Sequence, residues 1–519
     1  MIFLTGFMGS GKTAVGRVLA LHLKRPFIDL DAYIVAKSGR SIANIFACAG
    51  EPAFRVLEHE ALVEVTNGSR KAVVATGGGL PIDGANRAIM KSGGHIVYLK
   101  ASFDTLISRI PEDPGRPLWN QQAHELLKAR KPAYEDADVV VDTDGMTIRE
   151  VAREVSRLVA NLRDPLPVLV PGAPYPVYIG SGIFKDLKNM LARHVRPEGV
   201  FIIVDEQVHA HHHRLIRSAV KGLPHHIMRI PSGERVKSSP FLGRILEEML
   251  SVQVNRHWIC MAIGGGVTGD LCAFASSIFM RGIPVVQVPT TLLAQVDSGI
   301  GGKTGINLDQ GKNLVGTIHQ PRFVLSDVDF LATLAPDLIR GAMAEVVKYG
   351  IIMDARLFEY LEKARTVDYE KVVAMCSADK AAVVSADERE GGRRRILNFG
   401  HTVGHAIERV LNYEVSHGRA VAAGMLFASW FSCELGLLKG SDLGRIRSLV
   451  KRFTSTGAGT VLPEPRQIEA AMALDKKGTG SGVHFVLTPG IGDATVKYLT
   501  SSEILGAYGR YIHGSEASV

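Results

Sequence analysis

The sequence predicts an α/β protein built from two successive parallel-sheet units, the second followed by a mostly helical domain. Three observations predict it. Short apolar runs alternate with helical periodicity from residue 2 to about 160; a proline-dense stretch interrupts the pattern, which restarts at 177; and from about 336 the strand signals give way to helical ones as far as about 453. Alternating strands and helices put helices on both faces of a mostly parallel sheet. At 519 residues the chain also exceeds what one hydrophobic core supports, so several domains are expected.

The elements follow in order. IFLT (2–5) reads as a buried strand, a glycine loop follows, and Thr13 to Leu23 has helical periodicity. FIDLD (27–31), AVVATGGG (72–79), HIVYLKA (95–101) and VVVDT (139–143) are further strands, and a helix runs from about Ile148 to Leu162. These bound a three-layer α/β/α domain over 1–162. RDPLPVLVPGAPYP (163–176) holds five prolines and reads as an extended, semi-rigid linker. VYIGSG (177–182), FIIVDE (201–206), WICMAIGGG (258–266) and PVVQVPTT (284–291) are the strands of a second α/β domain over 177–334. The helical domain covers 335–500 and ends in a weak strand pair near 483–499, and 501–519 reads as a small, polar surface tail.

Composition narrows the function. With 46% hydrophobic and 22% charged residues the chain is a globular enzyme type, not a fibrous or disordered one. The five cysteines are scattered, without a CxxC pair, which points to a reducing cytoplasmic compartment. The N-terminus lacks a basic leader region, and no apolar run reaches the roughly 18 residues of a membrane span. The net charge of +8 comes without a recognition-helix, zinc-finger or basic-aromatic pattern, so small anionic substrates are expected rather than nucleic acid.

Gly6-Phe7-Met8-Gly9-Ser10-Gly11-Lys12-Thr13 satisfies GxxxxGK[ST], the P-loop, after a strand and at the start of a helix. Its glycines turn backbone N–H groups toward phosphates, Lys12 neutralises the β/γ oxygens and Thr13 holds Mg²⁺. By itself the loop indicates ATP or GTP through Gly9, Ser10, Gly11, Lys12 and Thr13, and leaves the acceptor open. In the second half, Gly264-Gly265-Gly266-Val267-Thr268-Gly269-Asp270 follows an apolar strand without matching GxGxxG, so its amides are suited to a phosphate or pyrophosphate without specifying which. Glu345, His401 and His417 offer one carboxylate and two imidazoles, a set suited to Zn²⁺ or Co²⁺ with a position left open. His401 and His405 share a helix face, and that spacing does not decide which is the ligand. The polar stretch with His209, His211, His212 and His213 has no carboxylate or thiolate spacing and reads as surface histidine.

Over roughly 1–160 the residues around the P-loop resemble shikimate kinase. The matching motifs are FIDLD, EPAFR, the glycine run 77–79, GRPLW and LLKARKPAYEDAD. The resemblance implies ATP-dependent phosphorylation of the shikimate 3-hydroxyl. It implies Asp31 on the ring hydroxyls, favouring their deprotonation, and Asp29 near Mg²⁺. Arg55 and Arg130 would grip the carboxylate as two guanidinium forks, with Gly77, Gly78 and Gly79 beside the ring. Arg116 would sit on a mobile segment and neutralise the transferring phosphoryl; the surrounding IPEDPGRPLWNQQ is less basic than that family's pattern. Lys12, Asp31 and Arg116 are the catalytic residues so implied.

Over roughly 177–500 the chain resembles 3-dehydroquinate synthase. The resemblance is carried by Arg281-Gly282, PTTLLAQVDSGIGGKT (289–304), GKNLVG (311–316), AEVVKYG (344–350), LNFGHTVGHAIE (397–408) and SHGR (416–419). It implies conversion of 3-deoxy-arabino-heptulosonate 7-phosphate to 3-dehydroquinate and phosphate, with transient use of NAD⁺. Metal ligands so implied are Glu345, His401 and His417, with His405 in proton transfer and His405, Lys303 and Lys348 catalytic. The NAD contacts are Asp205, Glu234, Lys237, Gly264, Gly265, Gly266, Asp270, Thr290 and Thr291. The substrate contacts are Arg281, Asp297, Lys303, Lys312, Asn313, Lys348, Lys380, Arg394, Asn398 and Lys476. Arg281 would reach the pocket of a neighbouring subunit, the partner in a homodimer formed through the synthase part. Such a cation cluster suits a substrate with a phosphate at one end and a carboxylate at the other, and without an anion it would repel itself. Two positions depart from the pattern: Arg235 stands where lysine is expected, and Arg419 where glutamate is expected beside His417.

Overall fold

The computed structural model describes residues 1–68, 71–109, 123–160, 162–309, 311–454, 462–474 and 482–514. The chain divides into two compact units, one of residues 1–178 with 189–196, the other of 179–188 with 197–519.

The first unit is organised by a five-stranded sheet ordered β2-β3-β1-β4-β5: β1 is Ile2–Thr5, β2 Phe27–Asp29, β3 Val73–Ala75, β4 His95–Lys100 and β5 Val139–Asp142. All neighbours are parallel. The all-apolar run of β1 is fully buried because β1 is the central strand with helices on both faces. FIDLD is strand only to Asp29, whose side chain caps the helix Leu30–Ser38, so Asp31 lies in that helix's first turn. The expected extended linker is partly a hairpin: β6 (Leu166–Val168) and β7 (Tyr175–Gly180) pair antiparallel with Pro167 opposite Pro176, a register in which neither proline is asked for a donor.

In the second unit β8 (Gly199–Asp205), β9 (His225–Ile230), β10 (Trp258–Gly264), β11 (Val285–Pro289) and β14 (Val324–Asp327) lie in the order β14-β11-β10-β8-β9, all parallel. A hairpin of β12 (Ile306–Leu308) and β13 (Gly311–Val315) precedes β14. From Pro336 the chain is helical, apart from the antiparallel pair β15 (Gly482–Gly490) and β16 (Asp493–Thr500). The polar-tail expectation is corrected here. Ser501–His513 is a helix opened by a Thr500/Glu503 capping box, and Ile504, Ala507, Tyr508 and Tyr511 recur at helical spacing and enter the helical core. No helix among the described residues is long and apolar enough to cross a membrane.

Candidate active sites

The first site surrounds a cavity of about 910 Å³ lined by the P-loop, Asp29, Asp31, Arg55, Glu58, the triple glycine and Arg130. Gly9 and Gly11 take φ of 81° and 86°, and Gly11 caps the helix Lys12–Leu23, so the loop presents successive amides at a helix N-terminus. Lys12 Nζ donates to the carbonyls of Gly6 and Phe7 (both 2.9 Å), which holds the ammonium over the loop. Thr13 Oγ1 donates to Asp29 Oδ2 (2.7 Å), uniting the two residues expected at Mg²⁺.

Deeper in, burial and then the neighbouring Asp29 push the Asp31 carboxyl above its ordinary range. Its Oδ1 is buried and accepts no hydrogen bond. Arg55 is held by Glu51 (2.6 Å) and by Glu58, a buried carboxylate absent from the expected set. A signal for Glu58 was present: it stands three residues after Arg55 on the helix face that turns toward the site. Arg130 is buried, and Tyr134, one turn on, donates to the Gly78 carbonyl (2.6 Å). Burial pushes the Tyr134 hydroxyl up to about 12, so it stays a donor. Two of the three glycines have a steric cause. A Cβ at Gly77 would strike Glu58 Oε1, and one at Gly79 would strike the Arg55 guanidinium. Arg109 and the turn Thr143–Ile148 line the cavity beyond the P-loop and were not singled out in the sequence. Arg116 lies outside the described residues.

The second site lies where the second sheet meets the helical domain. Gly265 caps the helix Gly266–Ile278 at the end of β10. Nearby, Thr290 N–H donates to the Gly264 carbonyl (2.9 Å), and the Thr290 hydroxyl is buried without a hydrogen-bond partner. Thr291 Oγ1 accepts from Ala294 N–H (3.2 Å). Asp205 ends β8, caps the next helix and accepts from Ser232 Oγ (2.8 Å). Glu234 accepts from Asn307 (2.7 Å), and Lys237 Nζ donates to Asp270 and Asn313 (2.5 Å each). Arg235, the first departure, is on the same short turn as Glu234.

The chain from Ala294 to Ser298 makes one widened helical turn, in which Gly299 N–H reaches back five residues to the Ala294 carbonyl (2.9 Å). It aims Asp297 at Lys380 Nζ (2.5 Å) and Tyr349 Oη (3.0 Å). Burial pushes the Asp297 carboxyl up, but Lys380 and then Lys348 outweigh it and hold the carboxyl well below its ordinary range. Lys348 pairs with Glu345 one helical turn away. Lys303 pairs with Glu390, which also accepts from Asn398 (2.9 Å). Arg394 donates to the Glu388 carbonyl (2.5 Å) and the Gly301 carbonyl (3.4 Å). Lys312 lies over the Tyr413 ring (4.1 Å). Three of the expected cations have carboxylate partners, Lys380 with Asp297, Lys348 with Glu345 and Lys303 with Glu390, while Arg394 and Lys348 still act against the charge of Lys380, so the expected repulsion is reduced rather than absent. Glu390 was not singled out because DEREGGRRR reads as solvated charge. Arg281 is exposed at positive φ (67°), and Lys476 lies outside the described residues.

Glu345 Oε1 lies 3.3 Å from His401 Nε2 and 3.6 Å from His417 Nε2. A tetrahedral centre with bonds of about 2.1 Å spaces its donors about 3.4 Å apart, which these residues match with a fourth position left open. The buried Glu345 carboxylate divides its oxygens, Oε1 facing the two imidazoles and Oε2 paired with Lys348. His405 is one turn from His401, their rings 5.3 Å apart, and it does not share the Glu345 donor set. Glu408, also not anticipated, faces His417 from behind. The histidine stretch 209–213 enters no such grouping among the described residues.

Fold and sites together define a two-centre enzyme: a P-loop phosphotransferase unit, and a unit that combines a glycine turn after an α/β strand with a metal-ligand set on helices. Comparison with known proteins makes this specific. Residues 8–160 match the shikimate kinase family, 227–341 the N-terminal and 342–478 the C-terminal part of 3-dehydroquinate synthase. The 3-dehydroquinate synthase of Nitrosococcus oceani is 41% identical over 346 residues, 64% of this chain and 95% of that protein. A solved 2-epi-5-epi-valiolone synthase of Streptomyces hygroscopicus with NAD⁺ and Zn²⁺ bound is 28% identical (TM-score 0.59; 64% of this chain, 95% of that one). A 2-deoxy-scyllo-inosose synthase shares the fold at 24% identity (TM-score 0.61; 67% and 99%). The chain belongs to the 3-dehydroquinate synthase family and carries a shikimate kinase domain ahead of it.

Proposed function

We propose that the chain performs two reactions at separate centres: ATP-dependent phosphorylation of the shikimate 3-hydroxyl, and conversion of 3-deoxy-arabino-heptulosonate 7-phosphate to 3-dehydroquinate and phosphate. The observation that carries the second reading is the Glu345, His401 and His417 donor set beside Lys348.

In the kinase unit the loop amides and Lys12 hold the nucleotide phosphates, and Thr13 with Asp29 hold Mg²⁺. Arg55, fixed by Glu51 and Glu58, and Arg130 orient the shikimate carboxylate. Asp31 accepts the hydroxyl proton; its buried, unpartnered oxygen and raised proton affinity suit a general base. Arg116 neutralises the transferring phosphoryl.

In the synthase unit Asp205, Glu234, Lys237, Asp270, Thr290, Thr291 and the glycines 264–266 hold the dinucleotide. When bound, NAD⁺ supplies hydride acceptance and return, and a Zn²⁺ or Co²⁺ held by Glu345, His401 and His417 polarises the hydroxyls of the carbon that is oxidised. Lys303, Lys312 and Asn313 hold the phosphate end, and Asp297 and Asn398 orient the substrate between its two ends. Lys348, Lys380 and Arg394 take the carboxylate and ring hydroxyls, with Lys476 a late basic contact. His405 moves a proton during ring opening and closure. The exposed Arg281 serves a second copy in a homodimer, and five free cysteines agree with a reducing cytoplasm.

The test is a pair of assays on the full-length protein: phosphate release from the heptulosonate phosphate with NAD⁺ and Co²⁺ or Zn²⁺, and ADP formation from ATP and shikimate. Both activities are expected. Absence of the first from metal-loaded protein overturns the synthase reading, and absence of the second overturns the kinase reading.

A further inference from the structure

His417 is faced by carboxylates at both ring nitrogens. Its Nε2 lies 3.6 Å from Glu345 Oε1, and its Nδ1 lies 3.4 Å from Glu408 Oε2. Glu408 is buried, only 5% exposed, so this carboxylate is not a solvated surface charge that happens to pass near a histidine.

The fold brings it there by design of two helices. His401–Val410 carries His401 and Glu408 seven residues apart, two turns along one face, and His417 opens the following helix, His417–Glu434. The helices touch backbone to backbone. Gly424 leaves no room for a Cβ against the Gly400 carbonyl, and a Cβ on Gly404 would come within 3.1 Å of the Ala420 carbonyl. At that separation the side chain of Glu408 reaches the far side of the His417 ring.

An imidazole that gives its Nε2 lone pair to a cation carries its proton on Nδ1, and an acceptor at Nδ1 fixes both tautomer and ring orientation. The two ligand histidines are supplied differently. His401 Nδ1 faces the Phe399 main-chain carbonyl (3.1 Å), whereas His417 Nδ1 faces a carboxylate. A carboxylate is the stronger acceptor and raises the basicity of the imidazole behind it.

We propose that Glu408 is a positioning residue of the metal centre, holding the Nδ1 proton of His417 so that Nε2 points to the cation beside Glu345 and His401. This rests on the metal reading given above. Glu408 also lies near His405, and those two with His417 could be grouped around a second cation; the proposal commits instead to one ion and a hydrogen-bond acceptor.

The experiment measures Zn²⁺ and Co²⁺ affinity of the full-length protein by chelator competition, with ion stoichiometry and the visible spectrum of the Co²⁺ form, in wild type, Glu408→Gln, Glu408→Ala and His417→Ala. One ion per wild-type chain is expected, with affinity about 10- to 100-fold weaker in Glu408→Ala. A smaller loss is expected in Glu408→Gln, whose amide oxygen still accepts. The Co²⁺ spectrum should change in both Glu408 variants while the melting midpoint of metal-free Glu408→Gln stays at the wild-type value. Wild-type affinity and spectrum in Glu408→Ala, with binding lost in His417→Ala, would overturn the proposal and leave the metal reading intact. No stoichiometric ion in wild type would instead sink the metal reading itself. Two ions per chain, the second lost in both His405→Ala and Glu408→Gln, would make Glu408 a ligand and overturn the positioning role.

Discussion

In the kinase unit the half-buried Asp31 and buried Glu58 carboxyls are pushed above their ordinary range, whereas in the synthase unit the half-buried Asp297 and buried Glu345 carboxyls are held below it. Burial opposes ionisation in all four. The difference lies in who touches them. At Asp31 the attraction of Lys12 and Arg55 is outweighed by burial and by the repulsion of Asp29, and Arg55 divides itself between Glu58 and Glu51. Asp297 and Glu345 each have a lysine ammonium in direct contact, Lys380 and Lys348. At Asp297 and Glu345 the paired ammoniums outweigh burial, whereas at Asp270 burial outweighs the Lys237 contact and the carboxyl is still raised. An ammonium partner marks a counter-ion or ligand, and the buried Asp31 oxygen without a hydrogen bond marks a candidate base.

The largest test of that division removes a ligand. His401→Ala or Glu345→Gln should lower phosphate release from the heptulosonate phosphate by at least about 1000-fold, roughly 4 kcal/mol of transition-state stabilisation. Shikimate phosphorylation by the same molecules should stay unchanged, and Lys12→Ala should produce the reverse pattern. Parallel loss of both activities in either variant would break the separation of the centres. Next in size is the counter-ion. Asp297→Asn leaves the buried Lys380 beside a neutral amide; because the Asp297 side chain is 27% exposed, the cost falls below that of a fully buried pair, about 3–5 kcal/mol. Urea unfolding of the synthase unit should move to correspondingly lower denaturant. Because the folded Asp297 carboxyl is depressed, its stabilisation is present above the ordinary value of 3.8 and is lost as pH falls through the lower folded value.

The sequence made the first centre easier to read than the second, for a physical reason. The P-loop is one contiguous stretch whose glycines are imposed by backbone geometry, and Gly9 and Gly11 indeed sit at positive φ. The metal set is drawn from three helices, so spacing alone leaves His401 and His405 equivalent; the family resemblance separates them, and in the structure Glu345 faces His401. Glu58, Glu390 and Glu408 were overlooked because a glutamate three residues from an arginine or histidine, or within a charged loop, looks the same in sequence whether it is solvated or buried. The same blindness hid the partners of Lys380 and Lys303, since Asp297 and Glu390 come from distant segments. The C-terminal helix was hidden by its composition. Small residues such as Ala507 and Gly506 dilute the hydropathy of Ser501–His513, while the periodic Ile504, Tyr508 and Tyr511 supply its buried stripe.

The smallest expected change in stability is the most discriminating for the comparison, because it runs opposite in sign to the change in activity. Asp31 has a raised folded value, so between the ordinary 3.8 and that value the folded chain binds more protons than the unfolded one. Its contribution to stability is therefore greatest at low pH and falls as pH rises through the folded value, leaving the ionised group a net burden at neutral pH. Asp31→Asn removes the charge while keeping the shape. It should stabilise the kinase unit by about 0.5–2 kcal/mol, the usual gain when a functional residue's cost is relieved, and reduce shikimate phosphorylation by about 10²–10⁴-fold as the base is lost. Thermal melts at pH 7 and pH 4 separate the causes: the gain should be present at pH 7 and smaller at pH 4, because the raised proton affinity of Asp31 relieves its charge as pH falls. Destabilisation of Asp31→Asn at pH 7 would show that Asp31 has a cation partner in solution, and would place it with Asp297 as a counter-ion rather than with the bases.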